Sequence, residues 1–266
     1  MQKTALLFAF LACLSATARE GTAIPHVIPA KIGLVLIGAT QEGIALATDG
    51  SSLNADGRVS QEQKIFQLGK NGALALAGTV SIQDPIGGPV REEVNIARIA
   101  GAWAAGHPDA DLQTANRELN SEITAAVNKF SSTRDPGAGR GQFKFSTIIA
   151  GFNEGKPMLI TTTYFLPTVK SRPWRTEQKP AAVRPGDIWI FGNSAAAADT
   201  INGKIKGKGE TGANRSIADC IKLFDFTLAA AESPEGKKRD GKHAIVAAPN
   251  RFASVSREGG FSWSKN

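Results

Sequence analysis

The order of the apolar runs constrains this chain more than any other feature. Gly33 to Thr48 holds two of them, Leu34-Val35-Leu36-Ile37 and Ile44-Ala45-Leu46-Ala47-Thr48, joined across Thr40-Gln41-Glu42-Gly43. Each is short, free of charge and bounded by turn residues, which fits strands buried on both faces, with Gly43 supplying the turn. Asp49-Gly50-Ser51 ends that hairpin. A second pair follows, Lys64-Ile65-Phe66-Gln67-Leu68 and Ala73-Leu74-Ala75-Leu76-Ala77, with Lys70-Asn71-Gly72 between them. Helical spacing then takes over. Val94, Ile96, Ala97, Ile99 and Ala100 make one apolar face within about Glu92 to Ala105, and Leu119, Ile123, Ala126, Val127 and Phe130 make another within Leu112 to Phe130.

Ser131 to Gln142 is rich in Gly, Ser and Arg and reads as a loop. Strands return at Phe145 to Gly151, Met158 to Phe165 and Asp187 to Gly192. Leu166 to Pro185 carries four prolines and is expected to be an exposed connection. A short helix from Ala195 and a longer one over Ser216 to Ala231 come next, and Ala244 to Ala248 and Phe252 to Val255 are the last strand candidates. Blocks of strands alternating with blocks of helices predict α+β layers rather than a doubly wound parallel sheet. No linker divides residues 33–266, which read as one domain.

The first residues predict the compartment. Met1-Gln2-Lys3 is a positive start, Thr4 to Leu14 an apolar run, and Ala16-Thr17-Ala18 a small-residue end, the pattern of a secretory signal over residues 1–18. The apolar run is shorter than the roughly 20 residues a membrane-spanning helix needs. The expectation is export to the periplasm or the medium, with residues 19–32 as an N-terminal extension and no transmembrane segment. Phe10-Leu11-Ala12-Cys13 is similar to a lipoprotein cleavage box, but Phe10 is a poor first residue for one. Cleavage removes Cys13 and leaves Cys220, whose neighbours Ile221, Leu223 and Phe224 predict burial, so no internal disulfide is expected.

Composition excludes further classes. Two cysteines, with histidines at 26, 107 and 243 in no metal-ligand spacing, predict neither a metal site nor a cofactor. The formal charge of +7 comes from 31 Lys+Arg against 24 Asp+Glu. The basic residues are scattered, and the densest run, Lys237-Lys238-Arg239, adjoins Asp240, so no nucleic-acid partner is expected.

Four segments, in order, resemble the proteasome family: the β-type subunits of the N-terminal-nucleophile (Ntn) hydrolases and their bacterial relatives. Gly43-Ile44-Ala45-Leu46-Ala47-Thr48-Asp49 is similar to the family's strand ending in an aspartate. Lys64-Ile65-Phe66 begins fifteen residues beyond Asp49, and Ala75-Leu76-Ala77-Gly78 ends fourteen residues beyond Lys64. Ile190-Phe191-Gly192-Asn193-Ser194, followed by alanines, resembles the segment that opens the family's third helix. The hairpin strand Ile148-Ile149-Ala150-Gly151-Phe152 also fits. The resemblance covers roughly residues 33–260 and implies a four-layer αββα sandwich.

It also implies a chemistry. In this family an N-terminal Thr hydroxyl is the nucleophile and its own α-amine is the general base. Mapped onto this chain, Lys64 would lower the nucleophile's proton affinity, Asp49 would orient Lys64, and a backbone N–H at Gly78 would bind the oxyanion. The nucleophile itself does not match. Counting from Asp49 places it at Gly33, and counting from Gly38 places it at Leu34. Neither has a hydroxyl or thiol, and residues 19–32 would occupy the place of the free amine.

Two functions remain. One is an exported proteasome-like protein without the nucleophile, a pseudoenzyme that binds or assembles, with itself as a homo-oligomer or with a peptide or protein. The other is a hydrolase of amide or peptide bonds, acting in proteolysis through an unrecognised nucleophile. Ser51, Ser81 and Ser194 are the serines near the frame, none with a paired His in a recognisable spacing. Both readings place Asp49, Lys64 and Gly78 at the site.

Overall fold

The computed structural model describes residues 25–28, 33–53, 59–83, 93–133, 143–165, 173–192, 194–208, 214–241, 246 and 248–264. The 1–18 signal segment and most of Ala244 to Ala248 lie outside the described residues. Among the described residues, fifteen strands and five helices form alternating blocks as predicted, the second helix block having three members where two were expected. Two sheets carry the fold, and two short ribbons flank them.

The first sheet is built on the hairpin read from the sequence. β2 (Val35–Ala39) and β3 (Gly43–Thr48) pair antiparallel, with Thr48 opposite Val35. The hydroxyl of Thr40 accepts from the Gly43 N–H at 3.0 Å and closes the turn. β13 (Ile188–Phe191) joins beside β2, and β14 (Arg251–Ser256) with β15 (Gly260–Ser264) extends the other side from β3. At the edge, β1 (Pro25–Ile28) runs parallel to β13, the one parallel pair among the described strands. Part of the expected extension is therefore a strand of the sheet.

The second sheet has the order β12 (Arg175–Ala181), β11 (Lys156–Phe165), β10 (Phe143–Asn153), β7 (Gly72–Gly78) and β6 (Ile65–Leu68), antiparallel throughout. β4 (Ser51–Leu53) pairs with β5 (Val59–Gln61), and β8 (Ser81–Gln83) with β9 (Glu93–Asn95). α1 (Ile96–Gly106) and α2 (Leu112–Thr133) connect the halves of this sheet, while α3 (Ala195–Lys208), α4 (Ile217–Glu232) and α5 (Pro234–Asp240) precede β14.

Three apolar clusters follow from the period-2 alternation of the strands. Leu74, Leu76, Phe145 and Ile149 of the second sheet pack on Ile96, Trp103, Leu119 and Ile123 of α1 and α2. Their neighbours Ala75, Ala77 and Ile148 face the first sheet's Val35, Ile37, Leu46 and Val255. The opposite face of the first sheet, Leu34, Leu36, Ala45 and Ala47, packs on Ile201, Cys220, Phe224 and Leu228.

The structure corrects the reading in places. Residues 175–181, expected to lie in an exposed connection, form the edge strand β12. Its side chains are mostly exposed and include Pro180, which an edge tolerates because one rim of its backbone needs no partner. α1 starts at Ile96 rather than near Glu92, because Asn95 caps it and accepts from the Arg98 N–H at 2.8 Å. α5 and β15 were not anticipated. α5 is one short segment begun by Pro234 and capped by Ser233, and β15 is a five-residue edge strand in which Phe261 and Trp263 alternate with serines.

Candidate active site

The first hairpin and the start of β6 converge on one buried ion pair. Asp49 follows β3 and Lys64 precedes β6, so each leaves a strand end with its side chain between the sheets. Lys64 Nζ lies 3.0 Å from Asp49 Oδ1, and neither side chain has exposed surface. Asp49 Oδ1 also accepts from the Leu34 N–H at 2.8 Å, and Ser51 donates its hydroxyl to Oδ2. The Asp49 N–H in turn donates to the Leu34 carbonyl at 3.1 Å. Three donors on one carboxylate offset the cost of removing it from water, which an unpaired buried charge could not bear.

The expected nucleophile position, open between 33 and 34 in the sequence, separates in the structure. Leu34 is fully buried in the cluster under α3 and α4. Gly33 points at the ion pair instead: a Cβ built on it would lie 2.6 Å from Lys64 Nζ and 3.3 Å from Asp49 Oδ1. Its φ of +76° is a conformation that glycine adopts without strain. Gly192 stands directly behind it. A Cβ there would come within 2.8 Å of the Gly33 carbonyl oxygen and 2.9 Å of Leu34 Cδ1. The segment Ile190 to Gly192 thus reaches the site through backbone contact.

Gly78 ends β7 with φ +95°. Leu76, two residues earlier, donates its N–H to the Lys64 carbonyl at 2.9 Å, so Gly78 lies on the strand next to Lys64, about 7 Å further along at the ordinary rise of a strand.

The three serines separate by their partners. Ser51 is held on Asp49 at the ion pair. Ser81 is buried on β8. Ser194 serves the start of α3: it donates to Asp240 Oδ2 at 2.6 Å and accepts from the Ala197 N–H at 3.0 Å. Asn193 lies outside the described residues. His107, at the end of α1, stacks on Trp103 with its Nδ1 2.8 Å from the Trp103 carbonyl. Cys220 is buried as expected, and burial pushes its thiol up to about 11. Thr48 was missed by the sequence reading; its hydroxyl is buried at the end of β3, with no hydrogen-bond partner among the described residues. Its one signal was a polar residue closing an apolar strand.

Among the described residues no group of three or more His, Cys, Asp or Glu could hold a metal ion. No described helix is long and apolar enough to cross a membrane.

No family model matches the chain, and no curated protein matches it. Solved structures do. The chain is similar to the Anbu complex from Pseudomonas aeruginosa, described as a helical assembly, with TM-score 0.55 at 11% identity over 88% of this chain and 87% of that one. It is similar to Anbu, described as an ancestral β-subunit, from Yersinia bercovieri, with TM-score 0.51 at 11% identity over 86% of each chain. A Gly-1 mutant of Anbu from Hyphomicrobium sp. strain MC1 gives TM-score 0.50 at 14% identity over 88% of this chain and 85% of that one. At these identities the likeness shows the fold alone, a mixed α/β arrangement of antiparallel sheets of the proteasome-like kind.

Proposed function

We propose that this chain is an exported, proteasome-like protein of the Ntn-hydrolase fold that has lost the N-terminal nucleophile and works by binding or by assembling with copies of itself. The observation that carries the reading is Gly33. The residue whose Cβ would stand 2.6 Å from Lys64 Nζ is the one residue type without a Cβ. The lysine–aspartate pair is retained around a position that offers neither hydroxyl nor thiol. The four-layer αββα reading is supported by the three apolar clusters, one between the sheets and one beneath each set of helices. Assembly is supported by the helical assembly described for the Pseudomonas aeruginosa Anbu complex. In this reading residues 1–18 are a signal peptide, 19–32 an extension and 33–266 the domain, and Asp49, Lys64 and Gly78 are the remains of the catalytic frame.

A second reading, an amide or peptide hydrolase with another nucleophile, is favoured by one observation: the Ser51 hydroxyl is already seated on Asp49 beside Lys64.

One set of measurements separates them. Intact mass and N-terminal sequencing of the exported protein give the mature terminus. An N-terminal-threonine-directed covalent inhibitor and a panel of fluorogenic peptides, applied to the parent and to Lys64→Ala, report the chemistry. The first reading expects no adduct and equal background from both proteins. Turnover in the parent that is lost in the variant overturns it, as does a mature terminus at a Thr carrying one inhibitor.

A further inference from the structure

α2 carries two stripes. Leu112, Ala115, Leu119, Ile123 and Val127 enter the core. Beside them Asn116, Asn120, Thr124 and Asn128 recur every four residues, a polar stripe on one helix face. The sheet beneath answers it. Thr162 of β11 lies opposite Gln178 of β12, and Tyr164 opposite Thr176, so these four share one face. Helix and sheet meet here through Asn120, and a groove of about 520 Å³ remains between the two polar faces. That volume lies within the roughly 300–1,000 Å³ of small-molecule sites.

The allocation of donors and acceptors decides what such a groove would take. Asn120 Oδ1 accepts from Thr147 at 2.7 Å and from Tyr164 at 2.8 Å. Its Nδ2 donates to the Asn116 carbonyl at 2.7 Å, to Asn116 Oδ1 at 3.0 Å and to Thr162 Oγ1 at 3.2 Å. Asn128 Oδ1 accepts from the Trp174 N–H at 2.9 Å. The carboxamide oxygens of the floor are therefore in use. Among the described residues, the side-chain N–H groups of Asn116 and Asn128 and the hydroxyl proton of Thr162 have no acceptor. Arg117 adds a guanidinium to the lining; its 3.1 Å pair with Glu118 joins two exposed side chains and uses one of its nitrogens, and the exposed Asp111 is its other acidic neighbour. No carboxylate among the described residues lines the groove.

We propose that this groove, separate from the Gly33 site, binds a carboxylated, hydroxyl-rich small molecule of the sugar-acid class. The surplus of donors and the guanidinium take the carboxylate, and the flanking hydroxyls of Thr176 and Ser121, which both donate and accept, take the ligand's hydroxyls.

The test uses the full chain with D-glucuronate and D-glucose as probes, followed by saturation-transfer NMR and calorimetric titration. Glucuronate is expected to bind about tenfold more tightly than glucose, the size of one charge-assisted contact. Gln178→Glu, which places a carboxylate in the groove, and Arg117→Ala are each expected to weaken glucuronate about tenfold. Both side chains are exposed, so circular dichroism should show unchanged folding. Lys238→Ala, on α5, should bind as the parent does. Absence of glucuronate binding, equal affinity for glucose, or an equal loss in Lys238→Ala would each overturn the proposal.

Discussion

The ammonium of Lys64 and the carboxylate of Asp49 meet at 3.0 Å with no exposed surface on either side chain, joining the end of one sheet's strand to the start of the other's. This contact spans the two sheets at the point where Gly33 presents no side chain. Removing one partner leaves the other charged and buried.

Lys64→Ala or Asp49→Asn should therefore lower stability by about 3–5 kcal/mol, measured by urea unfolding. Lys64→Met combined with Asp49→Leu should cost much less than the sum of the single changes, because no unpaired charge remains. Additive losses would show that the pair is not coupled.

Gly33→Ala should destabilise by about 1–3 kcal/mol, since it forces a side chain into a left-handed conformation against the Lys64 ammonium. Thermal unfolding checks it. A neutral substitution would show that position 33 does not face Lys64.

Asn120→Ala should cost about 1–3 kcal/mol because it strands the Thr147 hydroxyl and leaves the Tyr164 hydroxyl only its longer bond, 3.3 Å, to the Asn120 carbonyl. Tyr164→Phe removes a single donor and leaves Thr147 paired, so its loss should be nearer 1 kcal/mol. An equal cost for the two would contradict a shared acceptor.

Cys220 predicts an alkaline slope. Its thiol is pushed up from 9.0 to about 11, chiefly by burial. Below pH 9 both folded and unfolded chains keep the proton, and the contribution is fully present. Between about 9 and 11 the unfolded chain loses it first, so about 2–3 kcal/mol of stability disappears as pH rises through the folded value. Urea midpoints from pH 8 to 11 should fall more steeply for the parent than for Cys220→Ala, and a thiol reagent at pH 8 should modify only unfolded protein.

Local pattern sufficed for the strands and helices whose residues repeat their own burial. β2, β3, β6, β7, β10 and β13 are apolar enough to be recognised alone, and α2 and α4 show their buried stripes. The spacing of Asp49, Lys64 and Gly78 is likewise a property of the chain, because each stands at a strand end and strand length fixes where an end falls. β12, β15 and β1 escaped notice for the converse reason. β12 faces solvent with most of its side chains, so its residues show no apolar alternation, and β1 and β15 are only four and five residues long, too short for a pattern to stand out.

By itself, then, the sequence determined the buried strands, the helices with an apolar stripe, and which residues could carry charge into the interior. Tertiary structure alone decided that Gly33, and not Leu34, faces Lys64. That choice depends on the positive φ at Gly33 and on the packing of Leu34 beneath α3 and α4. It alone brought Gly192 against the Gly33 backbone, from a strand more than a hundred residues away in the chain. It alone turned the asparagines of α2 from a solvated stripe into the wall of a groove, by laying the polar face of β11 and β12 opposite them. The physical reason is common to all three. Periodicity records how often a residue is buried, whereas the identity of the group that buries it is set by the pairing of distant strands.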